Sequence, residues 1–150
     1  MKAAEGRMGR VFVLRLEDGD RVPECIEEFA KGRGVARGLC ALVGGIGGGR
    51  VVVGPREADA SPVVPLVHEL LGVHEAAAVG TLFPDEQGVP RLHMHAALGR
   101  DGLTRTGCVR QGVDVWKLGE VVLLELLGTD ACRRRDPVTG FEVLEVSPLP

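Results

Sequence analysis

The pattern of apolar and polar positions predicts one helix among many strands. VFVLRL, Val11 to Leu16, is rich in β-branched and aromatic residues and alternates around Arg15, as a strand does. EDGD follows as a turn, with Asp20 a candidate N-cap. RVPECIEEFAKGRG then predicts the helix. Val22, Ile26 and Phe29, with Cys25, form an apolar stripe at spacings of three and four. Pro23 sits in the first turn, where a missing N–H costs little, and Gly32 or Gly34 ends the element.

VARGLCALVGGIGGGRVVVGP predicts two strands joined by a glycine-rich turn. The run GGIGGG matches a phosphate-binding loop only loosely. It is followed by VVV rather than a helix pattern, and no Lys-Ser/Thr pair accompanies it. A glycine-rich hairpin or a close approach of backbones fits better. READASPVVP is a loop. VVPLVHELLG and VHEAAAVGTLFP are strands broken near Gly72, and PDEQGVP is a second loop. RLHMHAALG and LTRTGCVRQG form a hairpin. VWKLGEVVLLELLG is a long buried strand, and the tail holds a turn at DPVTG and a final strand FEVLEV. The sum is an α+β fold, a single helix packed on a mostly antiparallel β-sheet. One domain is expected over residues 1–150, with a core at about 10–128 and a C-terminal strand and tail at 129–150.

Composition narrows the function classes. Aromatics are 3 % of the chain, so the core is Val, Leu and Ala, and a base-stacking platform is disfavoured. The net charge of −3 lacks the basic footprint of a compact nucleic-acid binder. Arg133, Arg134 and Arg135 form the one short basic run. They are the candidate nucleic-acid contacts, although such a run is more often a solvated loop. No secretory h-region and no apolar run of membrane-spanning length is visible, so the expectation is a cytoplasmic protein with no membrane partner. Cys25, Cys40, Cys108 and Cys132 form no CxxC pair, which favours reduced thiols or metal ligation over disulfides.

The candidate chemistry lies in RLHMHAALGRDGLTRTGCVRQG, Arg91 to Gly112. On a strand, His93 and His95 share one face, and the apolar Leu92, Met94, Ala96 and Leu98 share the other. Asp101-Gly102 favours a two-residue type I′ turn, which sets His95 opposite Cys108. A four-residue loop sets His93 opposite Cys108 instead, and a three-residue loop would put Cys108 opposite Met94 in the core. Two of the three turns bring His93, His95 and Cys108 within about 5–8 Å of one another. Imidazole and thiolate are zinc ligands, and three of them leave an open fourth position. The alternative is two surface histidines near a small buried cysteine. His68 and His74, each beside a glutamate, read as hydrogen-bonded strand histidines, though either could complete the site. Glu57, Glu69, Glu75 and Glu125 are candidate carboxylates, none singled out by the sequence. A Ser-His-Asp site is disfavoured, because Ser61 and Ser147 sit in proline-containing loops without a nucleophile elbow.

With these residues in view, the chain resembles the plants-and-prokaryotes conserved (PPC) domain family, in its stand-alone prokaryotic type of candidate DNA-binding proteins. The resemblance runs from Val11 to about Gly128. It is carried by VLRLEDGD, IEEFA, ALVGGIGGGRVVVG, VHEAAAVGTL, LHMHAALGRDG and TGCVRQG ahead of VVLLELL. It implies a single helix against an antiparallel sheet, a homotrimer, and a metal site built from HxH and a later histidine after a glycine pair. Carried over, HxH is His93 and His95, and the later position is Cys108. Two departures stand out: the third ligand is a cysteine, and Thr106-Gly107 replaces the double glycine. His74 in LGVHEAAA occupies the aromatic position of a plant-type stretch, and no Arg-Gly-Arg-Pro minor-groove arm is present. The implied role is a binding or regulatory protein with a zinc-type site and a DNA or protein partner. The rival role is a metal-dependent enzyme using the open zinc position on a small molecule.

Overall fold

The computed structural model describes residues 1–60 and 62–147; Ser61 lies outside them. The elements are β1 (Arg7–Glu17), β2 (Arg21–Val22), α1 (Glu24–Arg33), β3 (Gly38–Pro55), β4 (Pro65–Leu70) and β5 (His74–Pro84). They continue as β6 (Pro90–Arg100), β7 (Leu103–Cys108), a 3₁₀ turn (Val109–Gln111), β8 (Val113–Leu127), β9 (Cys132–Arg135) and β10 (Glu142–Glu145). The main sheet is antiparallel in the order β1-β8-β3-β5-β6-β7, with β2 added beside β8 and β4 beside β3. The sheet curls until β7 meets β3 again, where Val52 pairs with Cys108. A one-helix, mostly antiparallel α+β fold is therefore what the chain forms.

The inner face carries the core. Leu42, Ile46, Ala78, Leu92, Met94, Leu98, Val121 and Leu123 alternate inward from their strands, and α1 covers them with Ile26 and Ala30. The outer face is also apolar, but open. One cross-strand row on it runs Val13, Val122, Ala41, Val79, His95, Cys108. Val13 is 79 % exposed and Val79 61 %, so among the described residues nothing covers these positions of the row.

Four sequence expectations need correction. First, the glycine-rich stretch makes no turn; β3 runs straight through it as one 18-residue strand. Gly44 and Gly49 lie at φ 147° and 120°, and a Cβ on them would stand 2.6 Å from Leu118 O and 2.4 Å from Gly112 O. The glycines let β3 and β8 approach across two register shifts, so the close-approach alternative is the one realised. Second, Asp20 does not cap the helix. Pro23 is the N-cap residue, without a side-chain cap, and the Asp20 carboxylate accepts the Glu17 N–H at 2.8 Å. Helix termination falls to Gly34, at φ 66°. Third, β8 is buried on one face only, its residues alternating along the strand. Fourth, the arginine run is a strand, β9, and not a loop; it pairs with β10 in a separate two-stranded sheet.

One polar contact anchors the first strand to the eighth. Arg10 donates Nε at 2.8 Å and Nη2 at 2.7 Å to the buried Glu125 carboxylate, and its backbone N–H adds a third bond at 3.0 Å. These bonds hold the Glu125 carboxyl down to about 2, from an ordinary value of 4.5. A carboxyl depressed in the folded state stabilises above its unfolded value, and that stability is lost as pH falls toward the folded one. Acid should therefore lower the urea midpoint of the protein between pH 4.5 and 2. Arg10→Gln should make that decline shallower, because the folded and unfolded values then approach each other. Equal slopes in the two proteins, followed by circular dichroism, would refute the assignment.

Candidate metal centre

The β6–β7 hairpin turns on Asp101 and Gly102, at φ 51° and 76°. Both positive values fit a two-residue type I′ turn. The pairing follows from it: Arg100 faces Leu103, and His95 faces Cys108. Of the registers open to the sequence, the two-residue turn is the one formed. His93 and His95 stand on the outer face with their Nε2 atoms 3.1 Å apart and their rings inclined at 71°. The ligating atoms of His93, His95 and Cys108 all lie within 4.8 Å of one another. The histidines are exposed, and Cys108 is buried where β7 closes against β3.

The donor set suits a borderline-soft divalent ion: two imidazoles and one thiol on two adjacent strands. Ligands of a tetrahedral zinc ion stand roughly 3.3–3.8 Å apart, given Zn–N near 2.0 Å and Zn–S near 2.3 Å. The two imidazole nitrogens, 3.1 Å apart, stand slightly closer than that, and the set as a whole, within 4.8 Å, is slightly wider, so side-chain rotations would have to adjust both. Burial lowers the pKa of His93, with the charges of Arg133 and Arg110 adding to the effect. Burial also lowers His95, helped by His93 and Arg110. Both shifts favour the neutral form that ligates a metal.

The other histidines and carboxylates stay apart from this cluster. His68 Nδ1 lies 2.6 Å from Arg105 Nη1, and buried His74 bonds the Gly72 carbonyl through Nδ1 at 2.9 Å. Glu69 and Glu75 line cavities at the hairpin-turn end, beside Arg100 and Asp101. Glu57 is in the exposed loop after β3, and Glu125 is held by Arg10.

Residues that sequence reasoning did not assign to this site line a cavity beside His93. A cavity of about 400 Å³ is lined by Glu27 of α1, Arg91, His93, Arg110, Arg133 and Glu142, among others. Glu27 accepts the Leu92 N–H at 2.8 Å, which ties α1 to the histidine strand. Arg133 is only 6 % exposed. Its Nη2 donates to the carbonyl of Thr81 at 3.0 Å and to its Oγ1 at 3.2 Å, and Thr81 pairs with His93 across β5–β6. Arg134 instead pairs with Glu145 at 3.0 Å, and Arg135 is exposed. Three neighbouring arginines thus have three different environments, and strand alternation in β9 was a signal that could have set Arg134 apart from the other two, but not Arg133 from Arg135.

Comparison with known proteins agrees with this architecture. A metal-containing protein of Archaeoglobus fulgidus superposes with a TM-score of 0.85 at 26 % identity, over 97 % of this chain and 99 % of its own. A plant- and prokaryote-conserved protein of Pyrococcus horikoshii also gives 0.85, at 22 % identity over 99 % and 100 %. A candidate DNA-binding protein of Ralstonia eutropha gives 0.75, at 17 % identity over 90 % of each chain. No curated protein matches the sequence. The family model for the Plants and Prokaryotes Conserved (PCC) domain matches residues 3–127, which take in the helix, the curled sheet and all three candidate ligands, and the chain belongs to that family.

Proposed function

We propose that this chain is a self-associating, metal-binding PPC protein with a binding or regulatory role. In this reading His93, His95 and Cys108 hold a zinc-type ion. The observation that carries it is the convergence of three ligating atoms within 4.8 Å on two paired strands. The metal-containing Archaeoglobus relative, at 26 % identity over nearly the whole chain, supports it. Elemental analysis of protein purified without a histidine tag tests it directly.

Self-association, as a homotrimer, is supported by the outer sheet face. Val13, Val43, Val79 and Val122 are all large, exposed and apolar on that face. A contiguous apolar patch of this kind marks an association surface. Light scattering should give three times the chain mass at micromolar concentration, and a monomeric mass would refute the trimer. The candidate ligands lie at the edge of this face, so assembly would shelter them.

A DNA partner is supported by the fold shared with the candidate DNA-binding proteins. The basic run offers little to it: Arg133 is buried and Arg134 is ion-paired. DNA binding should be weak and non-specific, carried by Arg134 and Arg135, and should fall steeply with salt. A sub-micromolar, sequence-specific complex at physiological salt would overturn this expectation. A cytosolic setting is proposed because it keeps the four free thiols reduced. Among the described residues, no helix is long and apolar enough to cross a membrane.

One observation favours an enzyme as the second reading: the cavity beside His93 carries the Glu27 carboxylate. A zinc ion there would act as a Lewis acid on a small-molecule carbonyl, with Glu27 handling the proton. Loss of a hydrolytic turnover in Glu27→Gln, with metal content unchanged, would establish it.

A further inference from the structure

The C-terminal hairpin places a buried positive charge beside the candidate metal ligands, and no carboxylate among the described residues is in ion-pair contact with it, although Glu142 and Glu27 act on it from other parts of the same cavity. Arg133 is buried. Its Nη2 reaches only the neutral oxygens of Thr81. Its Nε is buried with no hydrogen-bond partner, and no carboxylate forms a salt bridge with the guanidinium among the described residues. A buried guanidinium with no ion-pair contact is costly, which points to a negative group that arrives from outside.

The surroundings say which kind. Arg110 lines the same cavity, is exposed, and also lacks an ion pair among the described residues. His93 lines the same cavity as these two charges. The cavity, near 400 Å³, has the size of a small-molecule site. The rest of its wall carries the carboxylates Glu24, Glu27 and Glu142, with Arg91 already paired to Asp85 and Glu27, and the apolar Leu92 and Phe141. Those carboxylates oppose a doubly charged phosphate, whereas a single planar carboxylate matches a guanidinium and leaves its neutral remainder toward the rest of the wall.

We propose that the cavity between His93, Arg110 and Arg133 binds a small monocarboxylate, held by the two arginines with one oxygen toward the open metal position. This deepens the metal reading and rests on it for the second partner of the carboxylate. The arginine half of the site stands on the chain's own charges.

The test uses the full chain and L-lactate as probe. Metal content is measured first by elemental analysis, so failure of the metal reading is scored before any lactate is added. Cobalt(II) is then substituted, and its visible absorption is followed during lactate titration. Saturable change of the cobalt spectrum is expected. Arg133→Gln should weaken lactate at least about tenfold with metal content unchanged. Arg110→Gln, at an exposed position that tolerates change, should weaken it as well and covers the case in which Arg133→Gln fails to fold. Arg135→Gln should bind as the parent does. A metal-loaded parent whose cobalt spectrum ignores millimolar lactate overturns the proposal and leaves the metal reading standing. So does lactate affinity unchanged in both arginine variants. Inorganic phosphate binding as tightly as lactate overturns the carboxylate assignment. A chain that takes no metal refutes the metal reading, and calorimetry of lactate on that metal-free chain then decides the arginine half: heat lost in Arg110→Gln supports it, and no heat in the parent overturns it.

Discussion

His95→Ala should strip the protein of its metal. The parent is expected to carry roughly one zinc per chain, and the variant almost none after dialysis against buffer. The reason is ligand count. Three protein ligands can hold zinc with a fourth position open, and two hold it poorly. Even residues that only support a ligand cost about 10–100-fold in affinity when changed, so losing a ligand itself should exceed about 100-fold. His93→Ala should behave alike, since its Nε2 lies 3.1 Å from that of His95. Cys108→Ser should weaken binding, while Cys25→Ser, Cys40→Ser and Cys132→Ser should leave it alone, because only Cys108 joins the cluster. Affinity should rise with pH, as ligands must shed protons to bind. The lowered pKa values of both histidines put their share of that rise below the ordinary imidazole range. Far-ultraviolet circular dichroism should be unchanged in the histidine variants, since the core lies on the opposite face of the sheet, and it serves as the folding control for Cys25→Ser and Cys40→Ser, which touch that core. Full zinc content in both histidine variants would dismiss the site.

Gly49→Ala should be the most damaging small substitution in the main sheet. The residue sits at φ 120°, which an L side chain rarely adopts, and its Cβ would stand 2.4 Å from Gly112 O and 2.6 Å from Val113 Cα. Both neighbours are backbone, so no rotamer change relieves the overlap. The dihedral alone costs about 1–3 kcal/mol, and forcing β3 from β8 adds to it. A loss of about 3 kcal/mol or more in urea unfolding is expected at fixed protein concentration. Gly48→Ala, one residue away, meets nothing within 4 Å and should change stability by less than about 0.5 kcal/mol. Similar midpoints for the two variants would show that the glycines are not needed for the approach.

The hairpin was legible because its signals agree. Asp-Gly demands a particular turn, and alternation of His93 and His95 with Leu92, Met94 and Ala96 fixes the faces. Local chemistry and tertiary burial point the same way there. The glycine-rich stretch misled because glycine has two uses that look identical in one dimension: bending a chain, or letting another chain come near. Only the partner strand, some seventy residues later, distinguishes them, with Gly44 facing Gly119. Arg133 was hidden for a related reason. Its burial depends on β9 folding against Thr81, a contact between residues distant in sequence, and a run of three arginines carries no mark of which one turns inward. The N-cap at Asp20 failed because a short strand, β2, intervenes and uses Asp20 to close the preceding turn.

The central strand also sets the order in which the molecule can be made. β3 bonds to β8 through Gly38–Gly49, to β5 over Gly38–Ile46, to β4 beyond Gly49 and to β7 at Val52. Its partner on one whole side, β8, also carries β1, so the first and eighth strands meet only through a segment synthesised late. Pairings this distant in sequence make for slow folding, because the entropy of closing a large loop is lost before the contacts form. On the ribosome, β3 waits with one edge bare until β8 emerges, and its apolar residues spend that interval unprotected. Growth at lower temperature, or a chaperone that binds short apolar segments, should therefore raise the soluble yield of this chain more than that of a helical protein of equal length.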